Sequence, residues 1–115
     1  YLGGVLEQVP VFVIPCVQGR MEAVPMIVAQ ASTYGSILPA AWSFMLAARA
    51  RGLGTAWTTI HLFHHDEVSE LLGIPHEWTQ TALFPVAYYT GDDFRAAHRL
   101  PAESMIHHDT WGVHP

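Results

Sequence analysis

At 115 residues, 50% hydrophobic and 13% charged, the chain has room for one domain and is too apolar for a disordered segment. Its net charge of −5, with five Lys and Arg in all and no basic run, excludes a nucleic-acid footprint and offers nothing to an anionic membrane. No apolar run reaches the ~20 residues of a membrane span, and the lone Cys16 allows no internal disulfide, so a cytoplasmic location is expected.

The chain opens at Tyr1 without a methionine or the basic start of a signal peptide, as the interior of a longer polypeptide would. Residues 9–17 (VPVFVIPCV) predict a short buried strand of about four residues between Pro10 and Pro15, with Cys16 a small buried hydrophobe. Gln18-Gly19-Arg20 is a loop. Residues 21–32 stay ambiguous, because Pro25 interrupts a weak helical pattern. Residues 38–51 (LPAAWSFMLAARAR) predict the strongest helix, with Pro39 in its first turn and Ser36 or Leu38 as cap. Gly52 stops it, and Arg49 and Arg51 sit where the helix dipole favours cations. That helix is apolar nearly all round, so its face with Trp42, Phe44 and Met45 is expected against another polypeptide.

Residues 55–60 (TAWTTI) predict a strand or strand-like loop. A second helix is expected over 66–72, capped by Asp66, with Val68, Leu71 and Leu72 inward and Gly73-Ile74-Pro75 closing it. Residues 81–89 (TALFPVAYY) predict another strand, broken or bulged at Pro85. Gly91-Asp92-Asp93 then turns the chain into a polar tail. Together these elements predict an α+β unit in three layers around the 38–51 helix.

Eight histidines invite a metal, in the groups His61, His64, His65, Asp66 and His107, His108, Asp109, His114. His61 and His65 have a helical ligand spacing, yet His61 falls at a strand end, and no H-E-x-x-H or second cysteine supports them. No metal site is expected. No serine sits in a G-x-S-x-G elbow, and Gly52-Leu53-Gly54 follows a helix rather than a strand, which excludes a dinucleotide fingerprint.

Three pieces stand out in order: Ala48-Arg49-Ala50-Arg51-Gly52-Leu53-Gly54-Thr55-Ala56-Trp57, then Leu71-Leu72-Gly73-Ile74-Pro75, then Phe84-Pro85-Val86-Ala87-Tyr88. With the tail Arg99-Leu100-Pro101-Ala102-Glu103 running on to Trp111, the succession resembles the nitroreductase superfamily over roughly residues 31–111. The resemblance implies a nitroreductase-like sheet-and-helix fold, an intertwined homodimer and an FMN at each subunit interface. It implies an enzyme that passes electrons from NAD(P)H to nitroaromatic, quinone or similar acceptors, with the flavin carrying the redox chemistry.

In that pattern Thr58 and Thr59 offer backbone N–H groups to the flavin N5 and O4 edge, where donors stabilise negative charge. The family often has Gly in the place of Thr59. Arg99 matches the tail arginine that contacts the FMN phosphate, a role suited to the guanidinium fork. The family's second basic residue is Ala97 here, which leaves His98 as the neighbouring basic group. Trp57 is expected to pack rather than to touch substrate. The family's R-R-S-x-R type helix and most of its lid are missing, so residues 1–115 are expected to be the C-terminal portion of a single domain. Two other readings stay open. One is a non-catalytic or degenerate flavin-binding protein of the same fold; the other is a cofactor-free interaction module.

Overall fold

The computed structural model describes residues 2–91 and 94–115, so Asp92 and Asp93 of the expected turn lie outside the described residues. Two short strands replace the single one predicted near the start. β1 (Val11–Val13) and β2 (Cys16–Gln18) belong to different sheets, parted at Ile14-Pro15. Proline lacks an N–H for the ladder; the Pro15 carbonyl instead accepts the Thr81 N–H and hydroxyl, both at 2.9 Å. Nor is the first strand buried as expected. Val11 and Phe12, whose side chains point to opposite faces of the sheet, are both exposed on this edge strand.

α1 (Ile27–Arg49) starts eleven residues before the predicted helix and runs straight through Pro39, for 23 residues and about 34 Å. Pro39 is therefore an interior residue, not a first-turn one. It leaves the Gly35 carbonyl without its helical partner, but Gly35 and Pro39 both lie on the exposed side, where water can take it. Ser36, an expected cap, bonds the Thr33 carbonyl within the helix at 2.7 Å. The true start follows Pro25, where the Gln30 side chain reaches back to the Val24 carbonyl at 2.6 Å. The predicted C-terminal stop holds: Gly52 takes φ 79, and Arg51 Nη1 donates to the Ala47 carbonyl at 3.1 Å.

β5 (Phe84–Tyr88) is the centre of a three-stranded antiparallel sheet, between β1 and β3 (Leu53–Thr55). Val86 faces Val11 on one side and Thr55 on the other. Pro85 does not break the strand; it sits in register opposite Phe12 of the edge strand. β3 begins earlier and ends sooner than the predicted 55–60 strand, and Ile60–His64 is a tight helical turn. The second sheet pairs β2 with β4 (Trp78–Gln80).

α2 (His65–Leu72) carries Asp66 in its first turn rather than at the cap, which falls on His64 without a side-chain bond. Leu71 and Leu72 are exposed, contrary to the inward face expected of them, while Val68 is half-buried. The inward contact is polar instead: Gln80 Nε2 donates to the His65 carbonyl at 3.0 Å and the Ser69 hydroxyl at 2.8 Å. The helix closes as predicted. Gly73 is left-handed at φ 66, its N–H donates to the Glu70 carbonyl, and the Ile74 N–H donates to that of Ser69.

α1 covers one face of the three-stranded sheet. Ala41 is buried with Ala82, Phe84 and Val86, with Val13, Met45 and Leu53 at the margin. A small side chain at Ala41 lets the helix approach the sheet. Among the described residues α1 also touches β2 of the second sheet, and the helices and sheets together make the α+β unit expected. Of the face expected against another polypeptide, Phe44 stacks on Phe84 with ring centroids 6.1 Å apart and Met45 packs at the margin of the core. Only Trp42 of that face stands clear, 56% exposed beside Leu46 at 54%.

Candidate functional site

After β3 the chain is pinned by one isolated bridge. Thr58 donates its N–H to the Leu83 carbonyl at 3.1 Å, and Leu83 returns the bond to Thr58 at 2.8 Å. Immediately before it, the Trp57 ring lies 5.0 Å from that of Phe84, in the packing role expected of it. Immediately after it, the Thr59 carbonyl accepts the Leu62 N–H at 3.0 Å. The backbone is thus held on both sides of Thr59, whose own N–H has no partner among the described residues. Thr59, Leu62 and Phe63 line an adjoining cavity of about 240 Å³. One part of the expected pair needs correction: the Thr58 N–H is engaged in the bridge and cannot at the same time face a flavin.

Arg99 is exposed, and its Nη1 donates to the adjacent His98 carbonyl at 3.2 Å. It shares neither a hydrogen bond nor a described cavity with Thr58 or Thr59. The tail around it holds a helical turn at Ala102–Ser104 and a closed loop, with the His108 N–H on the Val113 carbonyl at 2.7 Å. Within that loop the His107 ring lies 4.1 Å from that of Trp111 and 4.6 Å from that of His114. Among the described residues, no three His, Cys, Asp or Glu side chains converge to hold a metal. Nor is any helix there long and apolar enough to cross a membrane.

A second polar cluster joins the start of the chain to α2. Arg20 bonds Glu22, the Asp66 carboxylate at 3.4 Å and the His76 carbonyl at 3.0 Å. Burial opposes ionisation of Glu22, but its backbone hydrogen bond and Arg20 prevail and hold its carboxyl below the usual range. His65 Nδ1 meets Asp66 at 3.2 Å while its Nε2 accepts the Gln80 N–H at 3.4 Å, which places the ring proton on Nδ1. These groups border a cavity of about 310 Å³. Periodicity and motif spacing cannot reveal such a cluster, because its members stand 46 positions apart in the chain. His61, on the neighbouring turn, has both ring nitrogens buried without partners; burial, then the nearby His65, push its pKa below the ordinary value.

The model of the nitroreductase family matches residues 2–88. The chain belongs to the nitroreductase family. Flavin-dependent oxidoreduction is the chemistry of this family, and the observed α+β architecture is compatible with its fold. The match begins well before the 31–111 stretch read from the motifs and stops at the end of β5. Thr58 and Thr59 fall inside it; Arg99 lies beyond.

Proposed function

We propose that this nitroreductase-family chain is part of an FMN-dependent NAD(P)H oxidoreductase that reduces nitroaromatic, quinone or similar acceptors and works as a homodimer. The observation that carries this reading is the Thr59 N–H: unpartnered, beside a cavity, and held on a backbone fixed by the Thr58–Leu83 bridge. Bound FMN would supply the electron transfer; the chain's residues bind and orient it. An unpartnered N–H at exposed Thr59 suits the ring edge, where a fixed donor favours negative charge without reorganising. Arg99 suits the phosphate, since its guanidinium is exposed and bonded only to its neighbour's carbonyl. Among the described residues the cavity beside Thr59 is lined by Leu62 and Phe63 and not by Arg99, and Trp42 and Leu46 stand exposed on α1. Both facts support a site completed at a subunit interface.

Titrating the complete protein with FMN tests this. Arg99→Ala should weaken FMN roughly ten- to a hundred-fold, the loss of a charged hydrogen bond of about 1.5–3 kcal/mol. Thr59→Ala should do little, because its contact is through the backbone. Unchanged affinity in Arg99→Ala removes the phosphate assignment, and a large loss in Thr59→Ala shows that its side chain matters. A complete protein that stays colourless with FMN, or whose flavin absorbance NADPH does not bleach, sinks the proposed activity.

A further inference from the structure

Arg49 is the last residue of α1 and Arg51 lies just past it; Arg51 turns back to cap the helix. Arg49 leaves it. Its guanidinium carbon lies 4.2 Å from the Tyr89 ring centroid and 4.3 Å from that of Phe94. The two rings meet edge to face, 5.2 Å apart. Tyr89 directly follows β5 and Phe94 opens the tail, so one cation ties the end of the helix to both sides of the tail's departure from the sheet. Gly54 makes room for this arrangement: a Cβ there would lie 3.3 Å from Tyr89 Cβ, tighter than side chains ordinarily pack.

We infer that Arg49 is a positioning residue for the flavin-phosphate site, holding Phe94 so that the tail delivers Arg99. The inference rests on the proposed role of Arg99. From Phe94 to Arg99 is five residues, which cannot span more than about 17 Å. With the clamp broken, the last fixed point retreats to Tyr88 at the end of β5, and the free segment grows to eleven residues. The local concentration of a tethered group falls as about the three-halves power of tether length, so Arg99 would be diluted about three-fold at the phosphate. Two cation–π contacts at an exposed site, each worth a factor of about two to five, are strong enough to hold the clamp mostly closed.

The test compares wild type, Arg49→Leu, Arg99→Ala and the double variant as complete proteins. It measures FMN affinity and the rate of tryptic cleavage after Arg95. Arg49→Leu should speed that cleavage several-fold and weaken FMN about three-fold, and it should add no further loss in the Arg99→Ala background. Arg49→Lys should restore part of both effects, because an ammonium still attracts the rings. Phe94→Ala opens the clamp without touching α1 and should show the same pattern. Unchanged cleavage in Arg49→Leu and Phe94→Ala overturns the inference, as does an Arg49→Leu loss that persists undiminished beside Arg99→Ala. If Arg99→Ala itself binds FMN normally, the phosphate reading falls and takes this role of Arg49 with it. A normal Arg99→Ala loss beside an inert Arg49→Leu removes the clamp alone.

Discussion

Replacing Phe84 tests whether the backbone at Thr59 is rigid because of the core beneath it. Phe84 is 0% exposed, its ring 6.1 Å from that of Phe44 and 5.0 Å from that of Trp57, and Ala41, Ala82 and Val86 complete its cluster. Truncating such a phenylalanine to alanine costs about 3–5 kcal/mol, much of the ~5–15 kcal/mol that stabilises an ordinary domain. Phe84→Leu is the more informative change. It keeps most of the volume and loses two ring–ring contacts of about 0.5–1.5 kcal/mol each. The expected destabilisation is roughly 1–3 kcal/mol, with a Tm drop of about 4–8 °C for each kcal/mol. Because Leu83 next door pairs with Thr58, FMN affinity should fall along with stability. Urea unfolding followed by tryptophan fluorescence gives the first number, and FMN titration gives the second. A double-mutant cycle with Trp57→Leu should show a coupling of about 0.5–1.5 kcal/mol. Strict additivity, or a Phe84→Leu protein with wild-type stability, would refute the idea that Trp57 and Phe84 together brace the turn.

Acid should weaken the fold through His61. Its folded pKa is lowered, so the unfolded chain takes up the proton first; stability is full above the ordinary value of 6.5 and is lost as pH falls below it. Urea midpoints at about pH 7.5 and about pH 5.5 should therefore converge in His61→Leu and differ in wild type, with an equal pH sensitivity in both proteins counting against the assignment. The depressed carboxyls of Glu22 and Asp66 do not confuse this window, since their contribution is lost only as pH falls below their ordinary 4.5 and 3.8. Gly73→Ala should cost about 1 kcal/mol, because the left-handed backbone resists a side chain even though open space surrounds it. Gly73→Asn should cost less by the same denaturation assay, and a neutral Gly73→Ala would show that the helix end relaxes.

What was legible in the sequence was local. Gly52 and Gly73 announced both helix ends, because a left-handed residue after an apolar run has few other uses. The start of α1 was missed, since Pro39 fits a first turn as well as an interior position whose released carbonyl faces water. The inward side of α2 was missed because Gln80, on a strand remote in sequence, supplies its contacts through the His65 carbonyl and the Ser69 hydroxyl. Thr58 and Thr59 were picked out by motif resemblance, but the difference between them depends on Leu83, which no reading of their own neighbourhood contains. The Arg20–Asp66 cluster and the Arg49 clamp were likewise invisible, being meetings of residues far apart along the chain.

The central place of β5 also bears on how the protein is made. Both of its neighbours, β1 and β3, are synthesised before it, and neither pairs with the other. A nascent chain that has passed Thr55 carries two unmatched strand edges and a long apolar helix, with nothing to close against until Tyr88 emerges. Such delayed, non-local closure slows folding and leaves sticky surface exposed meanwhile. Over that interval the ribosome-bound chain is a natural client for a chaperone, and a translational pause between β3 and β5 would lengthen its exposure.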